Sequence, residues 1–396
     1  MATKKGVWNL QDVRDKQLQS ESLWKYNAPG DPSRLFSLGR NDNGQLGHGD
    51  GANYSSPVQI EGTWDKIFPI APQGRYQAYA SKAPGTLYAW GRNIYGGLGQ
   101  NDRTARTTPV QIPGTNWSQT DSSETHVMGI KTDGTLWSWG RNQDGELGHN
   151  QGPGNNDDCR SSPTQIPGTN WSQVAAISDE STLALKTDGT IWSWGNNQYG
   201  QLGKSSLTKY SSPVQIGSGT NWSTINGGND LVCAIKTNGE LWTWGRNTSG
   251  GLGTNQAYAN ANYKNSPVQV PGTSWASAHA GSHLMVATRT DGTLWAWGNN
   301  STGMLGQNNE TNYSSPVQIP GTNWNKTRNA TRAGNAVRAL KTDGTLWNWG
   351  YNFYGSLGQN QGGNPGPQYS SPVQIPGTWA SVSACDHYMF ALTPSS

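Results

Sequence analysis

Charge is scarce in this chain. Of its 396 residues only 13% are Asp, Glu, Lys or Arg, about half the share of an ordinary globular protein. The formal net charge is +3, too small for the electrostatic footprint of a nucleic-acid binder, and Lys and Arg are mostly scattered. One segment, "NKTRNATRAGNAVRALK" (325–341), holds five basic residues and no acid. It reads as a solvated loop and strand edge rather than an anion site. Cysteine is nearly absent. Cys159, Cys233 and Cys385 are an odd count without metal-ligand spacing, so neither a zinc site nor a disulfide framework is expected. The six histidines are scattered too; His126 falls in a strand-like run, and His48 and His149 follow Leu-Gly pairs. No Ser/His/Asp, paired-carboxylate or His-metal set recurs or converges, so no enzyme activity, metal or cofactor is expected. "MATKK" leads into no apolar segment, and no apolar run reaches 18 residues. No signal peptide and no membrane insertion are expected. Beyond the first 34 residues, sustained helical periodicity is also missing.

What the chain has is tryptophan, twenty of them, and fifty-two glycines. They come in step. In "KTDGTLWSWGRNQDGELG" (131–148) a W-x-W-G segment runs into a glycine-rich tail. The closing glycine of W-x-W-G or its variants recurs at Gly39, Gly91, Gly140, Gly195, Gly245, Gly298 and Gly350. S-P-V-Q-I or a close variant keeps pace, with its proline at Pro57, Pro109, Pro163, Pro213, Pro267, Pro316 and Pro372. A G-T-x-W or G-T-W segment follows each, ending at Trp64, Trp117, Trp171, Trp222, Trp275, Trp324 and Trp379. Three ordered signals in seven copies define one repeat architecture. The tail after Gly140 is no phosphate loop, because Glu146-Leu147 stand where Lys and then Ser or Thr are required. Its glycines read as backbone-turn positions.

Within a unit, "ALKTDGTIWSWG" (184–195) is two apolar runs flanking Asp188-Gly189, which predicts a hairpin with a two-residue type I′ turn. The second repeat departs, with Pro84-Gly85 in that place. Alternation puts Trp192 and Trp194 on one face. "PVQI" and "WSQVAAI" add two strands, giving four per repeat at a period near 50, the pattern of a β-propeller blade. The fold class expected is all-β, a seven-bladed propeller over 35–396 with a short helical extension over 1–34. "RLFSLG" (34–39) is a third strand without its predecessor, and "SVSACDHYMFAL" (381–392) supplies the missing strands. The ends should therefore pair in one blade near Leu35–Leu38, leaving no open edge. Eighteen tryptophans fall in the two repeated segments and are expected in the core between blades.

These units resemble the regulator of chromosome condensation repeat family. "TDGTLWSWGRNQDGELG" and "TNGELWTWGRNTSGGLG" carry its hairpin D-G, aromatic-x-W-G and G-x-N-x-x-G-x-L-G. The resemblance covers about nine tenths of the chain and implies a seven-bladed propeller closed between its termini. It implies no single function, since members include an exchange factor for a small GTPase, signalling scaffolds and a bacterial β-lactamase inhibitor.

Two segments stand outside the uniform pattern. "KKGVWNLQDVRDKQLQSESLWKYN" (4–27) is similar to leaders on repeat-bearing proteins of marine and cyanobacterial phage particles. It reads as one helix capped by Asn9, with Asp12 at its third position and Trp8 packed onto Val13. Trp8, Leu10, Val13 and Trp24 are expected to dock onto other virion proteins. Second, the S-P-V proline follows the Leu-Gly pair by ten residues in repeats one, two, four and six, but by fourteen or fifteen in three, five and seven. The added loops carry Asn155, Asp157, Arg160, Tyr258, Asn260, Tyr263, Asn364 and Gln368, suited to a host-surface glycan or protein. The function expected is a non-enzymatic structural or adhesive protein of a phage virion. The alternative is a bacterial protein-binding propeller, an inhibitor or scaffold.

Overall fold

Each repeat folds as one antiparallel sheet whose strands alternate between buried and open positions. In blade 4 the strands run Trp171–Ile177, Ser181–Lys186, Ile191–Gly195 and Tyr210–Gln215, hydrogen-bonded in that order. Burial falls from the inner strands outward, and the fourth strand is half-exposed along its length. The computed structural model describes residues 33–68, 76–151, 159–178, 180–256, 263–325, 336–361, 367–384 and 387–395. Seven such sheets are present. In blade 7 the described strands are Ala336–Leu340, Leu346–Gly350 and Tyr369–Ile375, with a Trp324–Lys341 bridge beside them. Inner strands touch their neighbours, as Trp171–Ile177 touches both Trp117–Ser122 and Trp222–Gly227. The described residues contain no α-helix, only the single 3-10 turns Thr248–Gly250 and Phe353–Gly355. The helix expected over 4–27 lies outside them.

The ring closes as its two ends imply. Leu35–Gly39 pairs antiparallel with Tyr388–Leu392, in the register Leu35–Leu392 through Gly39–Tyr388. Tyr54–Ile60 and Ser381–Ala384 complete the blade on either side. Residues more than 350 apart in sequence thus share one sheet.

The hairpin turns differ from expectation. In "KTDGT" only the glycine has positive φ, for example Gly134 at 78° and Gly189 at 77°. Gly134 N–H donates to Lys131 O at 2.9 Å, and Lys131 N–H donates to Thr135 O at 3.0 Å. This is a three-residue loop, a type I turn closed by one left-handed glycine, not a type I′ pair. The aspartate is freed for another task. Asp133 Oδ1 accepts both the N–H and the hydroxyl of Thr135, and Thr135 Oγ1 accepts the Trp137 indole N–H at 2.9 Å. Asp188, Asp291 and Asp343 repeat the chain of bonds. In the second repeat the turn instead holds a cis Ala83–Pro84 peptide.

The tryptophans divide into three environments. The second of each W-x-W-G pair is fully buried and ties one blade to the last. Trp194 Nε1 donates to Glu146 O at 2.8 Å, and Trp90, Trp139, Trp244, Trp297 and Trp349 make the equivalent bond to the preceding glycine turn. Burying each such ring contributes roughly 4–6 kcal/mol by area. The G-T-x-W ring is buried beside it, and Trp171 meets Trp192 and Trp194 edge-on at 6.2 Å. The first tryptophan of the pair, placed on the same face as expected, is only half-buried. A cation covers its open side: Lys186 stands 4.5 Å from Trp192 and 4.7 Å from Trp171. Lys82, Lys131, Lys236, Arg289 and Lys341 do the same elsewhere.

The glycine tail is a close-packed turn. In all seven repeats the asparagine side chain accepts the leucine N–H, from Asn41 and Leu46 at 2.8 Å to Asn352 and Leu357 at 3.0 Å. Gly145 has φ of 83°, and a Cβ there would lie 2.6 Å from the Ser211 side chain on the next outer strand. The expected backbone role of these glycines is what the packing requires.

Candidate functional site: the glycine-turn face

Every blade has two edges. One carries the Asp-Gly hairpins, and the other carries the glycine turns together with the loops that lead to the outer strands. On this second edge the residue after W-x-W-G is Arg40, Arg92, Arg141 or Arg246 in four repeats. The residue before the turn glycine is Tyr95, Tyr199 or Tyr354 in three. Because blades are stacked in rotation, the arginine of one lies beside the tyrosine of the one before. Arg141 stacks on Tyr95 at 5.3 Å, Arg246 on Tyr199 at 4.6 Å and Arg40 on Tyr354 at 5.1 Å. Tyr76 joins the series, with Arg40 at 5.0 Å and Arg92 at 5.8 Å from its ring. All eight side chains are half-buried.

Carboxylates hold three of the four arginines in place. Asp42 pairs with Arg40, Glu180 with Arg141, and Asp230 with Arg246 at 3.4 Å. The bond from Arg40 keeps the Asp42 carboxyl below the usual carboxylate range despite partial burial. His283 is pushed below its ordinary value by burial and by the Arg246 charge. His387 meets Tyr354 edge-on at 5.7 Å. The result is a fixed surface of planar cations and phenols. Sequence reading passed over it, although "GRN" after the W-x-W segment and "YG" in the turn were both repeated signals.

The long loops begin and end on the same edge. Arg160 starts an outer strand opposite Gly140, half-buried, and its Nη2 donates to Gln151 Oε1 at 3.0 Å. Tyr263 starts another, paired with Arg246 of the arginine series. Gln368 is exposed just before the strand at Tyr369. The three therefore sit on separate blades but one edge. Asn155, Asp157, Tyr258, Asn260 and Asn364 lie outside the described residues, as do Trp8, Leu10, Val13 and Trp24. The exposed large aliphatics Ile94 and Leu207 belong to this edge as well.

Buried titratable groups have structural work. Glu146 accepts the N–H groups of Gln143 and Asp144 at 3.2 and 2.8 Å, the bond that Gln45 and Gln201 make in their own turns. Burial pushes its carboxyl up to about 8. His126 lies in a strand as expected, fully buried between Ser123 Oγ at 2.7 Å and Thr182 Oγ1 at 3.1 Å. Burial pushes it down to about 3. His48 and His149 each meet a strand serine, Ser37 and Ser138, at 2.9 Å. Of the basic segment at 325–341, residues 326–335 lie outside the described residues, and the rest departs from the expected solvated edge. Arg338 is fully buried, donating to Ser356 O at 3.2 Å, and Lys341 caps Trp324 and Trp347. Among the described residues no His, Cys, Asp and Glu cluster could hold a metal ion. No helix there is long and apolar enough to cross a membrane.

The architecture defines a seven-bladed β-propeller with tryptophan-tied blades. Residues 31–337 match the RCC1-like domain, and the chain belongs to that family. The plant ultraviolet-B receptor UVR8 of Arabidopsis thaliana is 29% identical over 185 residues, 46% of this chain and 41% of that one. The Danio rerio protein RCC2 homolog is 42% identical over 80 residues, 20% of this chain and 16% of that one. The chain thus spans less than half the length of these curated relatives. Among solved structures, Saccharomyces cerevisiae Prp20p superposes with a TM-score of 0.79 at 18% identity, over 98% of this chain and 95% of that one. Human WBSCR16 gives 0.77 at 21% identity, over 92% and 99%. At those identities the likeness is one of fold.

Proposed function

We propose that this propeller is a non-enzymatic protein-binding module that meets its partner through the glycine-turn face. The observation that carries the reading is the arginine–tyrosine series, Arg40, Arg92, Arg141 and Arg246 against Tyr76, Tyr95, Tyr199 and Tyr354. Arginine and tyrosine are among the residues most enriched at protein interfaces, and stacking fixes them before binding, which lowers the entropy lost on association. Ile94 and Leu207 add apolar contacts on the same edge. Relatives agree in kind: the Prp20p structure is described with its binding to Gsp1p and histones, and a second with the protein bound to Kap60. Replacing Arg40, Arg92, Arg141 and Arg246 together with Ala should lower partner affinity by about tenfold or more. Thr132, Thr187, Thr237 and Thr342, exposed on the hairpin edge, are the matched control. Equal binding by both variants refutes the reading.

A phage particle is the second and narrower setting, favoured by the leader at 4–27. There, Trp8, Leu10, Val13 and Trp24 anchor the chain to another virion protein, and the three long loops face outward to a host-surface glycan or protein. Replacing Trp8 and Trp24 with Ala should stop incorporation into particles while the purified chain melts unchanged. A large drop in its melting temperature would place those rings in the propeller's own core.

A further inference from the structure

The junction of blades 4 and 5 combines three departures from the common repeat pattern. Five repeats place asparagine two residues after the Leu-Gly pair, and there its Oδ1 accepts a hydroxyl from the next outer strand, as Asn255 does from Ser315 at 3.2 Å. Repeat 4 has Ser205 instead, and neither Ser205 nor Ser266 opposite makes a side-chain hydrogen bond among the described residues. Lys204 stands where three repeats carry glutamine. The "IPGT" connection is replaced by Ile216-Gly217-Ser218-Gly219-Thr220, one residue longer and without proline. A Cβ on Gly217 would meet nothing within 4 Å.

All three changes line one cleft of roughly 490 Å³, whose wall includes Lys204, Ser205, Gly219, Trp222, Lys236 and Ser266. Two ammonium groups line it, Lys236 and Lys204, the latter also donating to Gln215 O. Trp222 is 9% exposed, and its indole N–H makes no hydrogen bond among the described residues; a Cβ on Gly219 would lie 3.3 Å from Nε1. Lys236 Nζ lies 5.3 Å from the Trp222 ring. Lys236 already shows what such a pair recognises. On its other side Glu240 Oε2 ion-pairs with Nζ at 3.3 Å and accepts the Trp242 indole N–H at 3.2 Å. An ammonium has three donors, and one carboxylate does not exhaust them.

We infer that the cleft between blades 4 and 5 is a carboxylate-binding site, with the ligand held between Lys236 Nζ and the Trp222 indole N–H. Ser205 and Ser266 offer further hydroxyl donors, and Lys204, held by Gln215 O, adds positive charge to the wall. The site shares no residue with the arginine–tyrosine series and stands whether or not that face binds protein. A carboxylate there can come from an acidic side chain of a partner or from a free dicarboxylate.

The test follows indole signals of the full chain by 1H–15N correlation, with Trp222 assigned through its loss in Trp222→Phe. The probes are an acetylated, amidated tetraglutamate peptide, succinate and inorganic phosphate, each at constant ionic strength. Saturable movement of the Trp222 signal, with Trp171 and Trp275 still, is expected for the carboxylates. Lys236→Met should weaken binding about fivefold or more. The double variant Lys204→Gln, Ser205→Asn restores residue types used at other junctions and should weaken binding comparably while keeping the fold. Tighter binding of the peptide identifies a partner segment as the source, and equal or tighter binding of succinate identifies a free acid. A motionless Trp222 signal, movement shared by all three indoles, or preference for phosphate overturns the assignment.

Discussion

Leu35 pairs with Leu392 in an antiparallel ladder that joins the two ends of the propeller in one sheet. Both are buried. Removing 380–396 strips two strands from that blade and exposes the edge of Leu35–Gly39 and the core around Trp90 and Phe390, which meet at 5.6 Å. The truncated chain should lose cooperative thermal unfolding in near-ultraviolet circular dichroism. A sharp melt at the original temperature would contradict closure.

The paired tryptophans should differ in cost. Trp194 is fully buried and donates to Glu146 O across the blade junction, whereas Trp192 is half-buried under Lys186. Trp194→Phe should destabilise by about 1–3 kcal/mol, because a buried carbonyl loses its donor as well as ring volume. Trp192→Phe should cost under about 1 kcal/mol. Urea unfolding of both variants checks the order, and equal losses would contradict the division of roles.

Two left-handed glycines make a matched pair. Gly145 and Gly217 have φ of 83° and 58°, but a Cβ on Gly145 meets Ser211 at 2.6 Å while one on Gly217 meets nothing within 4 Å. Gly217→Ala should cost about 1 kcal/mol from backbone conformation alone. Gly145→Ala should cost about 2–4 kcal/mol, since the next blade must shift as well. Comparable losses would show that blade contact adds nothing at the turn.

Glu146 should make stability fall with rising pH. Burial raises its carboxyl from 4.5 to about 8 in the folded chain. Between those values the native state holds more protons than the unfolded one, so stability present at low pH is lost as pH climbs through the window. Glu146→Gln keeps the acceptor that Gln45 and Gln201 provide and removes the titration. Relative to the parent it should gain about 1–3 kcal/mol at pH 8 and nearly nothing at pH 4. Identical pH profiles in urea titrations would contradict the assignment.

The fold was legible because each repeat states its strands locally. Asp188-Gly189 marks a hairpin, the Trp192–Trp194 alternation marks a strand with one buried face, and seven copies imply a ring. The turn type was not legible, because Asp188 has a competing use for its carboxylate, the Thr190 hydroxyl at 2.7 Å. Nor was the half-burial of Trp192, which depends on Lys186 one strand away. The candidate site was the least legible part. Arg141 and Tyr95 are 46 residues apart, and only the stacking of successive blades brings them within 5.3 Å. Loop length was a visible signal, and Arg160 and Tyr263 lie on the same edge as the arginine–tyrosine series, whereas the stacking itself depends on neighbouring blades rather than on any one repeat.

Hydrogen–deuterium exchange on the complex with a captured partner tests the central claim most directly. The glycine-turn face as binding surface predicts added protection in peptides covering 92–96, 196–200 and 246–250, with the hairpins at 131–135 and 186–190 unchanged. Protection confined to those hairpins would contradict it.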